Sequence, residues 1–196
     1  MRIAGVDEVG RGPLAGPVCA AAVVLPPGYQ NSSIQDSKKL TPRQREALVP
    51  EIKRIALSWA IVSVGHHRIE SLNIREASRV AMSLAVKRVQ ADLVLVDGNV
   101  PIEVPIPQRT IVGGDASVIQ ISAASILAKV WRDHLMAVLD GRYPQYGFKQ
   151  HAGYPTSSHR AAIRLYGPCN VHRRTFRGVV EYLGLASAPN GASPAS

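Results

Sequence analysis

Gly5-Val6-Asp7-Glu8-Val9-Gly10-Arg11-Gly12-Pro13-Leu14-Ala15-Gly16-Pro17 lies between two apolar runs, Ile3 to Val6 and Val18 to Leu25. The runs are short, rich in Val and Ala, and bounded by Gly and Pro, which predicts two strands joined by a tight glycine-rich turn. Asp7 and Glu8 end the first strand. Carboxylates there, followed by Arg11 in a loop whose glycines expose backbone N–H groups, suit a metal ion and a phosphate. The same residues also suit a solvated hairpin turn, so the stretch is informative only together with the rest of the chain.

Further along, Thr41-Pro42-Arg43-Gln44 predicts a helix start, with Thr41 as N-cap, Pro42 in the first turn and Gln44 closing a capping box. Leu48, Ile52 and Ile55 continue its apolar face, and Pro50 predicts a kink or a restart. Leu57 to Val64 reads as a third strand, ended by Gly65-His66-His67; neighbouring histidines on an extended chain point opposite ways, so surface histidines are expected rather than a metal site. Asn73-Ile74-Arg75-Glu76 predicts a second capping box, opening a helix with Ile74, Ala77, Ala81, Leu84 and Ala85 on one face.

Leu93-Val94-Leu95-Val96 is apolar throughout, as a central strand buried on both faces would be, and it stops at Asp97. A Pro-rich connection, 101–107, leads to the short strand Arg109 to Val112 and then to Asp115. Ser117 opens the longest helical pattern, with Ile121, Ala124, Ala128, Trp131, Leu135 and Val138 on its buried face, Lys129 and Arg132 on its exposed side, and Gly141 as the stop. The stretch 143–156 interleaves aromatic and basic residues, which suits sugar, base and phosphate contacts, although aromatics in a Gly/Pro loop also pack onto cores. Ser157 to Tyr166 reads as a helix, His172-Arg173-Arg174 as a basic cluster, and Gly178 to Leu185 as a last short helix. Residues 186–196 read as a disordered tail.

The 196-residue chain is long enough for one sizeable core. It carries 23 Lys and Arg against 14 Asp and Glu, a formal charge of +9, which favours a polyanionic partner, nucleic acid before an acidic membrane. Cys19 and Cys169 stand alone, so neither a disulfide framework nor a zinc site is implied. The start lacks the apolar core of a signal peptide and no run approaches a membrane span, so a soluble, cytoplasmic protein is expected.

Asp7, Glu8, Asp97 and Asp115 share one property: each sits at or just beyond the end of an expected strand. Side by side in one sheet, those strand ends would gather four carboxylates at one edge. Divalent cations would relieve their repulsion, and oxygen-only ligands select hard ions such as Mg2+ or Mn2+ over zinc. Two such ions would suit phosphodiester hydrolysis. Four solvated turn acids would have the same spacing, because separation along the chain does not bring them together.

Several motifs together give a family resemblance. They are Ile3 to Gly16, Asp36-Ser37-Lys38-Lys39-Leu40, Val96-Asp97-Gly98-Asn99, Gly114-Asp115, Ile121 to Val130, Tyr146-Gly147-Phe148 and His151-Ala152-Gly153-Tyr154-Pro155-Thr156. In this order they resemble bacterial ribonuclease HII, the type 2 ribonuclease H, from residue 3 to about Leu185. The resemblance implies an α/β, ribonuclease H-like fold: a mixed five-stranded sheet flanked by helices, in one catalytic domain over 1–185 that includes a helical C-terminal extension from about 142.

It also implies an endonuclease that cuts RNA in RNA–DNA hybrids and single ribonucleotides embedded in duplex DNA, leaving 5'-phosphate and 3'-hydroxyl ends. A monomer with no membrane partner is expected. Asp7, Glu8, Asp97 and Asp115 take the catalytic places, holding two divalent ions, Mn2+ or Mg2+. Gly10, Arg11 and Gly12 take the places that contact the ribonucleotide and its junction, and Tyr154 the place that stacks there. Lys38, Lys39 and Lys129 are candidates for holding phosphates without reading sequence; solvated lysines are the simpler reading of the first two.

Two rivals remain at this level. Gly10-Arg11-Gly12-Pro13-Leu14-Ala15 also fits a dinucleotide fingerprint, but that pattern must open a helix, and here Pro13 and Pro17 interrupt before a strand. A binding-only basic module is the second; it would have no need of four carboxylates facing a polyanion.

Overall fold

The computed structural model describes residues 1–35 and 40–184. Lys38 and Lys39 lie outside the described residues, as does the tail after 184. Five strands form one sheet: β1 (Ile3–Val9), β2 (Val18–Val24), β3 (Ser58–Val64), β4 (Leu93–Asp97) and β5 (Gln108–Ile111), in the order β3-β2-β1-β4-β5. β1 is antiparallel to β2 and parallel to β4, while β4 is parallel to β5, so the sheet is mixed as expected. Among the described residues, seven helices accompany it: α1 (Ser32–Gln35), α2 (Pro42–Ile55), α3 (His66–Leu72), α4 (Ile74–Val86), α5 (Ile119–Arg142), α6 (Phe148–His151) and α7 (Ser157–Tyr166).

The described chain divides into two compact units. The first comprises 1–11 and 17–134, and the second comprises 12–16 and the residues from 135 onward. In the first unit every residue of β2 is buried, which is why its run of Val and Ala shows no alternation. Ala21, Val23 and Leu25 pack with Ile34, Ile52, Ala123, Ala124 and Leu127. Gly5 sets how closely α5 approaches β1: a Cβ there would collide with the backbone of Gln120 and Ile121.

The second unit has its own core of Leu14, Ala15, Met136, Tyr146, Phe148, Ile163, Cys169 and Val179. Backbone bonds tie its two pieces together, Leu14 N–H to the Gly153 carbonyl at 2.8 Å, Gly16 N–H to Val171 at 2.9 Å, and Arg173 N–H to Leu14 at 2.8 Å.

Local signals near helix starts translate directly. Thr41 and Gln44 form the reciprocal capping box of α2. Asn73 accepts from Arg75 and Glu76 N–H at the start of α4, but the reciprocal half is missing, because Glu76 holds Arg79 at 2.8 Å instead.

Other expectations need correction. β1 runs on to Val9, so Asp7 and Glu8 lie inside the strand, and residues 10–17 form a longer loop rather than a tight turn because Leu14 and Ala15 are drawn into the second core. α2 continues through Pro50 without a restart. His66 and His67 begin a helix, α3, that the doublet did not announce. Leu84, Trp131 and Val138 are 38%, 44% and 72% exposed rather than facing a core, and among the described residues the last helical stretch, expected over Gly178 to Leu185, is a single 3-10 turn, Val180–Tyr182.

One basic assignment reverses, and part of the basic cluster is buried with it. Arg132, expected on the surface of α5, is fully buried, donating from Nε to the Pro17 carbonyl at 2.9 Å. His172 and Arg173 are likewise fully buried; Arg173 Nε donates to the Gly16 carbonyl at 3.0 Å. Carbonyl acceptors replace the water each guanidinium has left.

Candidate active site

Parallel pairing of β1 with β4 ends at Val6 opposite Val96, so Asp7 and Asp97 follow side by side at the same level of neighbouring strands. β4 stops at Asp97, and the chain passes through β5 into a 3-10 turn, Gly114–Ala116. That turn brings Asp115 back: its N–H donates to Asp97 Oδ1 at 3.3 Å. Gly114 makes this return feasible, since a Cβ there would lie 2.5 Å from Ile121 Cδ1 and 3.4 Å from Asp97 Oδ1. Ser122 pins the same turn by donating to the Asp115 carbonyl at 2.8 Å.

Asp7, Glu8, Asp97 and Asp115 line one cavity of roughly 400 Å³ together with Val9, Arg45, Ser125, Ile126 and Lys129. The fold thus brings together all four acids from three separate parts of the chain. Lys129 also lines the cavity, held by Asp133 at 2.8 Å. Arg45 and Ser125 were not singled out in the sequence. Arg45 is half-buried on an ordinary amphipathic helix, its Nη1 donating to the Leu40 carbonyl at 2.9 Å, where nothing local marks it, and Ser125 lies within an apolar-looking stretch of α5.

Ser125 is one helical turn beyond Ile121, and Asp7 is two strand residues beyond Gly5, so the close approach at Gly5 and the Asp7–Ser125 hydrogen bond belong to one packed face.

Asp7 is 7% exposed. Burial pushes its carboxyl up from 3.8 to about 8, and the neighbouring Glu8 and Asp97 charges add to this against the opposing hydrogen bond from Ser125. Glu8 is also raised, by burial first, with the Arg11 guanidinium opposing and Asp97 reinforcing. Arg11 reaches Glu8 at 3.4 Å and is largely exposed. Glu8, Arg11 and Asp97 also line a second cavity, with Arg75, Arg79, Gly98 and Asn99.

The donor set is all oxygen and carries more negative charge than its burial tolerates, which fits a hard divalent cation. Among the described residues no three His, Cys, Asp or Glu side chains are gathered closely enough to hold a metal ion as they stand; the four acids share the lining of a cavity.

Gly10 has φ +95°, and a Cβ there would collide with the Arg132 side chain. In the second unit, the place where a Gly12 Cβ would stand is 3.6 Å from Tyr154 Cε1. Tyr154 is 38% exposed, so its ring is available at the surface. No described helix is long and apolar enough to cross a membrane.

The family model described as "Ribonuclease HII" matches residues 4–179. The "Ribonuclease HII" of Syntrophotalea carbinolica is 52% identical over 184 residues, covering 93% of this chain and 88% of that protein. The crystal structure of the ribonuclease H2 from Pyrococcus horikoshii OT3 superposes with a TM-score of 0.80 at 26% identity, covering 93% of this chain and 97% of the other. Bst-RNase HIII, solved in complex with Mn2+, has a TM-score of 0.67 at 15% identity, over 93% of this chain and 69% of that one, and shares the fold.

Proposed function

The chain belongs to the ribonuclease HII family, a ribonuclease H endonuclease acting on RNA–DNA hybrids, and we propose that it also cuts at single ribonucleotides in duplex DNA, using Asp7, Glu8, Asp97 and Asp115 to hold two divalent ions. The observation that carries this reading is the lining of one cavity by all four acids. Mn2+ or Mg2+ bound there would supply an activated water and stabilise the leaving oxygen.

The chain's own residues supply position and charge. Asp7 is oriented by Ser125 and by the Glu8 N–H, which donates to Asp7 Oδ1 at 2.7 Å. Arg11 and Lys129 offer cations to the phosphates flanking the cut without reading sequence. RNA differs from DNA at the 2'-hydroxyl, so selectivity needs donors and acceptors at the sugar; backbone groups of Gly10, Arg11 and Gly12 are suited to that, and the Tyr154 ring to stacking at the junction. Lys38 and Lys39 are further candidates for phosphate contact. The domain is proposed to be one catalytic domain over 1–185, acting as a monomer.

Incubating the purified protein with a duplex carrying one ribonucleotide is the direct test. With Mn2+ or Mg2+ the cut should map beside the ribonucleotide, leaving 5'-phosphate and 3'-hydroxyl ends. Excess chelator should abolish it and added metal should restore it; cleavage that continues undiminished in chelator would refute the metal-dependent reading. Tyr154→Ala should slow cutting at a lone ribonucleotide by about tenfold or more while changing duplex affinity by less than about threefold. A variant that cuts that substrate as fast as the parent would remove Tyr154 from junction sensing.

A further inference from the structure

Two fully buried histidines in the second unit, His159 and His172, have no place in the chemistry above. Their contacts fix every proton between them. The backbone N–H of Cys169 donates to His172 Nδ1 at 2.9 Å, so that nitrogen carries no hydrogen. The ring proton of His172 is therefore on Nε2, which lies 3.0 Å from His159 Nε2. His159 accepts there and carries its own proton on Nδ1, 2.9 Å from the Tyr154 carbonyl. An obligate donor at one end and an obligate acceptor at the other leave a single arrangement of neutral tautomers.

Burial supports the neutral form, pushing His159 down to about 4. The Phe148 ring stands edge-on to His159 at 5.5 Å and His151 stacks on it at 4.5 Å. His151 is oriented too: its Nδ1 accepts from Gly153 N–H at 3.2 Å while its Nε2 donates to the Tyr146 carbonyl at 2.8 Å.

We infer that His172 and His159 are positioning residues for Tyr154, forming a one-directional relay that runs from the Cys169 amide to the Tyr154 carbonyl and holds the Tyr154 ring over Gly12. This rests on the proposed role of Tyr154 at the junction. Tyr154 is otherwise half-exposed and begins a turn: its N–H donates to the His151 carbonyl at 2.9 Å, and its carbonyl also receives Thr156 N–H at 2.8 Å. Thr156 then caps α7, accepting from His159 N–H at 3.2 Å. The relay ties an exposed residue of this turn to a buried anchor, so the ring meets a substrate already oriented.

The test combines spectroscopy with a double-mutant cycle. Nitrogen-15 NMR of the intact protein should show His172 protonated at Nε2 and His159 at Nδ1; the reverse tautomers, or a charged His159 at neutral pH, would overturn the relay. His159→Leu, which keeps bulk and removes the donor, should lower kcat at a lone ribonucleotide by about tenfold with little change in KM. His159→Asn, whose amide nitrogen falls near the place of Nδ1, should recover most of that loss. In a Tyr154→Ala background, His159→Leu should cost less than about twofold more. Equal losses in both backgrounds would show that His159 acts independently of Tyr154 and would end the inference. If Tyr154→Ala alone cuts like the parent, the role of Tyr154 fails, and with it the function assigned to the relay even where the tautomers are as stated.

Discussion

Asp7→Asn is expected to lower hybrid cleavage by about 10³-fold or more, equivalent to about 4 kcal/mol of barrier, while leaving hybrid binding within a few-fold of the parent. Asp7 is the most buried of the four acids, at 7% exposure, and is flanked by Glu8, Asp97 and Ser125, so an amide keeps the shape and loses the charge that would hold a cation. Single-turnover cleavage with saturating enzyme separates the two effects, and an unchanged rate would take Asp7 out of the mechanism.

The same substitution should raise the stability of the metal-free protein. A carboxyl lifted from 3.8 to about 8 on folding favours the folded state only while protonated: its contribution is complete below the unfolded value and is lost as pH climbs towards about 8. In chelator at pH 8, Asp7→Asn should therefore melt about 5 °C or more above the parent, with the gap closing near pH 4. A Tm difference that is flat across this window would mean that Asp7 carries no such penalty.

Gly5→Ala should be the most damaging substitution of a single atom group, costing about 3 kcal/mol or more of stability. The added Cβ would meet the backbone of Gln120 and Ile121, and backbone cannot rotate aside as a side chain can. α5 would have to lift from β1, carrying Ser125 away from Asp7, so activity should fall beyond the loss of folded protein. Gly65→Ala is the control, since a Cβ at Gly65 meets nothing within 4 Å; it should change stability by less than about 1 kcal/mol. Equal denaturation midpoints for the two variants would refute the close-approach argument.

Signals that act over a few residues were legible in the sequence. Thr41 and Gln44 announced α2, and the range Ser157–Tyr166 was read to the residue. The mixed five-stranded sheet is legible through the family motifs, whereas the four acids stand out by their places at or just beyond expected strand ends; that they line one cavity is supplied by the fold. Nothing local says that Val6 pairs with Val96 in a parallel register, and that pairing is what sets Asp7 beside Asp97.

The burial of three basic residues, which the sequence does not announce, has one cause. Arg132, His172 and Arg173 are charged or polar types whose default is solvent, and only the three-dimensional supply of carbonyl and imidazole acceptors makes burial tolerable. Arg45 and Ser125 were missed because a residue on an ordinary helix face carries no mark of the cavity it borders. Gly5 falls inside an expected strand, but its consequence depends on a helix more than a hundred residues away in the chain.

The second unit is assembled from two separated lengths of polypeptide, with 12–16 fastened to Gly153, Val171 and Arg173. No single cut can therefore excise it. A fragment ended at His134 would keep Leu14 and Ala15 but discard the partners that shelter them, and a grafted C-terminal portion would arrive without the short insert that completes its interior. Recombination between relatives should exchange both lengths as one block, so that the inherited halves match.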